Sequence, residues 1–203
     1  MASDTLTVRS FAGNIVLIGF MGTGKSSLGK RLAQTLGWPL IDSDVLAEKT
    51  AGRTITEIFA SEGEKGFRDL ETDILRSLSE TFHAVISTGG GVVSREENRI
   101  LLKRMGLVVW LHADEEAIFQ RVSRNKKRPL LQTANPRQTL HDLLEKRIPL
   151  YAEVADVVID TGKMQPPQAI KGILQAVPRL SAKPTNNPEP PGQRKSGTST
   201  PLQ

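Results

Sequence analysis

The chain has 203 residues, a net charge of +5 at pH 7 and no cysteine; this is the size of one domain or a domain with a tail, and it excludes disulfides and any cysteine-based metal centre. Hydrophobic residues make up 38%, low for a chain that is compact throughout, so a polar segment is expected somewhere. The polar start MASDTLTVRSFAG lacks the apolar core of a signal peptide, and the longest apolar runs, such as LVVWL, are too short to span a bilayer, which together predict a soluble, cytoplasmic protein with no membrane partner.

In chain order, short apolar runs alternate with amphipathic stretches. The runs are NIVLIGF (14–20), PLIDSD (39–44), AVIST (84–88), LVVWL (107–111) and DVVID (156–160). Helical periodicity covers Lys25–Leu36, Asp44–Thr50, Thr54–Ser61, Lys65–Thr81, Glu96–Arg104, Glu115–Arg124, Pro136–Val154 and Pro167–Val177. Near-continuous apolar strands separated by helices predict an α/β fold, a parallel sheet covered on both faces. Ligands of such sheets bind beyond the carboxyl ends of the strands.

The first strand end carries Gly19-x4-Gly24-Lys25-Ser26, with a strand before it and a helix after it. Glycines let the backbone N–H groups converge on a phosphate, and the helix N-terminus adds the positive end of its dipole. In this pattern Lys25 reaches the β- and γ-phosphates and Ser26 offers its hydroxyl to Mg²⁺. A switch GTPase is excluded: no Asp-x-x-Gly occurs, and the one Asn-Lys, in NKKR, lacks the following aspartate. A compact phosphotransferase remains.

The second strand end, LIDSDVL, offers Asp42 and Asp44. Alternate strand residues share a face, so both are expected to point into the cleft, one to hold Mg²⁺ with Ser26 and the other to take a proton from a substrate hydroxyl. A competing reading makes Asp44 the N-cap of the next helix. Downstream, Arg68 and Glu71 are spaced i, i+3 and neighbour one another on a helix face. On spacing alone such a pair is more often an exposed ion pair worth little. The third strand end carries Gly89-Gly90-Gly91, which permits close approach of backbone to a ligand.

Residues 124–138, RNKKRPLLQTANPRQ, are basic, polar and interrupted by two prolines. With no aromatic residue among them to stack on bases, nucleic acid is not the expected partner. A lid that closes over the nucleotide and excludes water fits better. Arg147, in EKRIPLY, is by itself one basic residue in a basic helix. His83, His112 and His141 share no spacing suited to a metal. Residues 181–203 hold five prolines and one large aliphatic residue, Leu202, too little apolar surface to offset chain entropy; they read as a disordered tail behind a folded domain of 1–180. Three basic residues and one acidic residue lie in that tail, so the folded part carries +3, which suits a small polyanion.

GFMGTGKSSLGKRLA, DSD, FRDLE, STGGG, RPLL and KRIPLY, in that order, resemble shikimate kinase over about residues 14–177. The resemblance implies a three-layer fold with a five-stranded sheet and transfer of a phosphoryl group from ATP to the 3-hydroxyl of shikimate, in aromatic amino acid biosynthesis. It implies Gly22, Thr23, Gly24, Lys25, Ser26, Ser27 and Arg128 for ATP, and Ser26 with Asp42 for Mg²⁺. Asp44, Arg68, Gly90 and Arg147 are implied for shikimate, and Lys25, Asp44 and the lid residue Arg128 for catalysis. Phe59 and Phe67 would line the acceptor site, Glu71 would hold Arg68 in its rotamer, and Arg121 would flank the adenine. The expected partners are shikimate and ATP, bound by a monomer. Ser27 stands where the family often has threonine, and DTGKMQPPQ, after the last strand, offers no arginine or asparagine for the adenine.

Two alternatives compete. A gluconate or nucleoside monophosphate kinase shares the phosphate loop, but a nucleotide acceptor would want base recognition where Arg68, Glu71 and the aspartates lie. A non-catalytic nucleotide-binding module would not need Lys25, Ser26, Asp42 and Arg128 together.

Overall fold

The computed structural model describes residues 11–123 and 133–181. The lid residues 124–132, Arg128 among them, and the tail from 182 onward lie outside the described residues. Five parallel strands form one sheet in the order β2-β3-β1-β4-β5: β1 Asn14–Ile18, β2 Leu40–Asp42, β3 Val85–Ser87, β4 Gly106–His112 and β5 Val157–Asp160. The α/β fold with a five-stranded parallel sheet is as expected. Each strand lies within or close to its apolar run, and most are shorter, because a ladder ends where one neighbour turns away.

Strand β1 shows how the layers arise. All five of its residues are buried, and period-two alternation divides them between two cores. Ile15 and Leu17 face one core, with Leu28 and Leu32 of α1 (Lys25–Leu36) and Ile173 and Val177 of α7 (Pro166–Ser181). Val16 and Ile18 face the other core. There they join Leu75 of α3 (Ile55–Leu78), Leu102 of α4 (Glu96–Met105), Ile118 of α5 (Glu115–Val122) and Tyr151 of α6 (Pro136–Val154). Helix α2 (Ser43–Ala51) contributes Ala47 to that second core.

The two helices expected over 54–81 form one element, α3, broken at Gly63 (φ 71°, ψ −174°). The backbone therefore leaves helical geometry and kinks at the predicted gap, between the two expected helices. Helix α3 opens on a capping box: the Thr54 hydroxyl accepts from the Glu57 N–H, and Glu57 accepts in return from the Thr54 N–H at 2.7 Å. Helix α6 begins at Pro136, so the last described residues of the lid segment are already its first turn.

Asn14, 1% exposed, ties three segments together behind β1. Its amide donates to the Thr81 carbonyl at 2.6 Å and the Met105 carbonyl at 3.1 Å, and its carbonyl accepts from the Ala84 N–H at 3.1 Å. Asn14→Ala strands buried backbone groups, each of which costs about 1–3 kcal/mol when left unpaired. Urea unfolding of that variant is expected to lose roughly 3 kcal/mol, with the denaturant slope unchanged.

Candidate active site

Strand register brings the loops together. Leu17 of β1 and Asp42 of β2 both lie level with Ser87 of β3, so the segments after the three strands leave the sheet side by side. The chain departs from the central β1 toward β2 on one side and later toward β4 on the other. That reversal opens a crevice at the carboxyl ends.

The loop after β1 is shaped for an anion. Gly24 at φ 91° turns it into α1 from the left-handed region, where a side chain would be strained. The Thr23 hydroxyl donates to the Phe20 carbonyl at 2.8 Å. Lys25 Nζ donates to the Gly19 and Phe20 carbonyls at 2.7 and 2.9 Å, which folds the ammonium back over the loop. Gly22, Ser26 and Ser27 complete the curve at the start of α1, where the helix dipole favours negative charge.

Asp42 and Asp44 meet the cleft differently from the expectation. The strand ends at Asp42, which is the N-cap of α2; Asp44 is in that helix's first turn. One Asp42 oxygen accepts from the Asp44 and Val45 N–H groups at 3.1 and 3.4 Å. The other accepts from the Ser26 hydroxyl at 3.2 Å. The capping role therefore belongs to Asp42 and not to Asp44, and the pair does not share a strand face. Two open-chain oxygen donors, a hydroxyl and a carboxylate, stand together beside the phosphate loop, the donor chemistry of a hard divalent cation.

Beyond Asp44 lies a cavity of about 710 Å³, lined among others by Asp44, Phe59, Arg68, Glu71, Gly90 and Arg147. Arg68 and Glu71 are 6% and 3% exposed. Their ion pair is thus buried, not the exposed one that spacing alone suggests. Arg68 Nη1 donates to Glu71 Oε2 at 2.8 Å, while its Nε and Nη2 donate to Glu64 Oε1 at 3.3 and 3.1 Å. Burial works against the Arg68 charge, but Glu71 and Glu64 outweigh it and hold the guanidinium above its ordinary value. Burial pushes Glu71 up from its ordinary value; Arg68 opposes that shift and Asp44 adds to it. Arg147, 4% exposed, is drawn below its ordinary value by burial, with the Arg68 charge acting in the same direction. Its guanidinium lies 5.6 Å from the Phe20 ring centroid. Two buried guanidinium groups facing one cavity make a site that favours an anion.

The glycines between them lie close against these side chains. A Cβ on Gly91 would stand 2.2 Å from an Arg68 nitrogen, and one on Gly89 would stand 2.6 Å from an Asp44 oxygen and 2.9 Å from Glu71 Oε1. Backbone, both carboxylates and the guanidinium therefore share one small volume.

The model of the shikimate kinase family matches residues 21–178. The chain belongs to the shikimate kinase family. A shikimate kinase of Thermodesulfovibrio yellowstonii is 46% identical over 168 residues, 83% of this chain and 96% of that one. The structure of a shikimate kinase from Acinetobacter baumannii in complex with shikimate superposes with a TM-score of 0.81 at 42% identity, covering 88% of this chain and 99% of that one. A gluconokinase from Sinorhizobium meliloti, at 21% identity and a TM-score of 0.53 over 84% of this chain and 94% of that one, shares the fold.

Against that family membership, the site holds residues that the sequence reading overlooked. Glu64 stands i, i+4 from Arg68, a spacing visible in the sequence. Tyr151 stands i+4 from Arg147 and was legible in the same way. Ser43, whose hydroxyl accepts from the Gly89 N–H at 3.1 Å, joins segments 46 residues apart, and no local pattern announces it. Phe59 and Phe67 line the cavity, their ring centroids 5.0 Å apart and their planes tilted by 35°. Arg121 Nη1 donates to the Gly22 carbonyl at 3.1 Å, placing it at the phosphate loop. His141 pairs with Glu115 at 2.9 Å on the surface, away from the cavity. Among the described residues, no helix is long and apolar enough to cross a membrane.

Proposed function

We propose that the protein transfers the γ-phosphoryl group of ATP to the 3-hydroxyl of shikimate, a step in aromatic amino acid biosynthesis. The observation that carries this reading is the convergence of Arg68, Arg147 and Gly89–Gly91 on one cavity that Asp44 and Met21 of the phosphate loop also line. A ring carboxylate fits the two guanidinium groups, since arginine presents a planar fork of donors. Binding the carboxylate at that end directs the ring hydroxyls toward Asp44.

In this mechanism Gly22, Thr23, Gly24, Ser26 and Ser27 cradle the phosphates, and Lys25 leaves the Gly19 and Phe20 carbonyls to contact the β- and γ-phosphates. Ser26 and Asp42 would hold Mg²⁺, which when bound neutralises phosphate charge; Ser26 would ligate it directly. Asp44 orients the 3-hydroxyl and accepts its proton as the oxygen forms a bond to the γ-phosphorus and the bond from that phosphorus to ADP breaks. Glu71 fixes the Arg68 rotamer from behind. Arg128, carried by the lid 124–138, reaches the transferring phosphate on closure, which also excludes water as a rival nucleophile. The division into a domain of 1–180 and a polar tail, and the monomeric state, belong to the same proposal.

Coupled ADP release with shikimate, quinate, gluconate and AMP as acceptors tests it. Release is expected to depend on shikimate and on Mg²⁺. Equal release without acceptor, or release only with gluconate or AMP, overturns the assignment.

A further inference from the structure

The triple glycine that lets backbone pack against Arg68, Asp44 and the phosphate loop has a consequence for rigidity. The Gly90–Gly91 peptide is flanked by glycine on both sides, so no Cβ resists its rotation. Its orientation nevertheless matters to the acceptor cavity. A trans peptide is planar, so the direction of the Gly90 carbonyl sets that of the Gly91 N–H on the opposite edge. Gly90 also packs against the phosphate loop: a Cβ there would stand 3.0 Å from the Met21 nitrogen and 3.6 Å from the Gly19 oxygen.

The anchor comes from α6. The Gly90 carbonyl accepts a hydrogen bond from the Tyr151 hydroxyl and a long one, 3.4 Å, from Arg147 Nη1. Tyr151 is 1% exposed, and its ring stacks on Trp110 with centroids 5.8 Å apart and planes 25° apart. The hydroxyl is thus delivered from a fixed ring, one helical turn beyond Arg147. Burial pushes the phenol up from its ordinary value, so it stays a protonated donor.

We infer that Tyr151 is a positioning residue of the acceptor site: its hydroxyl locks the Gly90–Gly91 peptide and keeps the Gly89–Gly91 backbone and Arg147 aligned for the acceptor carboxylate. This rests on the acceptor reading above. A tyrosine needed only for packing would be replaced by phenylalanine without consequence at the cavity, because the ring supplies the apolar fill. A tyrosine that positions the peptide would not.

Tyr151→Phe keeps the ring and its stacking and leaves the Gly90 carbonyl with Arg147 alone. The KM for shikimate is expected to rise about tenfold, the scale of removing the donor from a buried acceptor. The Kd for Mg·ATP, measured without acceptor, is expected to stay unchanged. Tyr151→Met, which also lacks the hydroxyl, is expected to show the same shikimate-selective loss. Trp110→Phe disturbs the stacking but keeps the hydroxyl, and is expected to lower the melting temperature without that loss. Unchanged shikimate KM in Tyr151→Phe overturns the inference. So does an equal weakening of shikimate and Mg·ATP, or a shikimate KM raised as much by Trp110→Phe, since general loosening explains both. A wild-type protein that releases no ADP with shikimate overturns the acceptor reading instead, and is recognised before any variant is compared.

Discussion

Asp44→Asn is expected to lower kcat by ~10²–10⁴, the scale of a positioned general base, and to raise the KM for shikimate while leaving Mg·ATP binding nearly intact. The substitution keeps the shape of the side chain and removes its charge. Asp44 sits in the first turn of α2, beside Gly89, and lines the cavity, which is where the proposed mechanism puts the acceptor hydroxyls. Asp42→Asn should behave otherwise. Its carboxylate holds the Ser26 hydroxyl at 3.2 Å and caps α2; asparagine caps a helix about as well as aspartate, so the variant should shift the Mg²⁺ dependence while keeping its stability, with shikimate binding mostly retained. Titrating Mg²⁺ and shikimate on both variants separates the two roles. If each variant disturbs both titrations equally, the carboxylates act as one cluster and the division fails. Phosphoryl transfer depends more on positioning and electrostatics than on proton removal. A loss nearer 10² than 10⁴ would therefore assign Asp44 mainly to orientation.

The aspartates also show where sequence stops informing structure. The motif at Gly19–Ser26 is largely local: the bonds from Thr23 and Lys25 back to Gly19 and Phe20 span at most six residues. Such a feature is readable from sequence alone, and helix α1 has the expected bounds, Lys25–Leu36. The DSD stretch is equally local but ambiguous, since strand alternation and helix capping both place an aspartate in the cleft. The ladder decides between them. Asp42 is the last residue of β2 to pair with β3, and the chain turns into a helix one residue later. Burial of Arg68 and Glu71 was less legible still. Spacing i, i+3 says that two side chains meet; whether water reaches them depends on Gly89–Gly91 and α6, which are distant in sequence. The same holds for Tyr151, whose partner carbonyl is 61 residues away.

That burial gives the Arg68–Glu71 pair its second expected signature. Arg68→Met removes one member and leaves Glu71, 3% exposed, without its counter-ion. Breaking a buried pair from one side costs about 3–5 kcal/mol, because a charge is stranded in a medium that solvates it poorly. The acid can escape by taking a proton. Burial already holds the Glu71 pKa above 4.5, and losing Arg68 raises it further. Between 4.5 and that raised value the native state binds more protons than the unfolded chain, so the stability of the variant falls as pH rises through this window and is best preserved below it. Wild-type protein should show the same slope over a narrower range. Adding Glu71→Leu removes the stranded charge, and replacing a buried pair with apolar groups of similar volume is often neutral or better. The double variant should therefore recover most of the lost melting temperature and lose the pH dependence. Shikimate affinity should not recover. Loss of a charged hydrogen-bond partner costs ~1.5–3 kcal/mol, a tenfold to hundredfold weakening, and an apolar side chain cannot replace it. Calorimetry of shikimate binding beside thermal unfolding, on the wild type and both variants, decides the matter. If affinity returns together with melting temperature in the double variant, Arg68 serves the core and not the acceptor carboxylate.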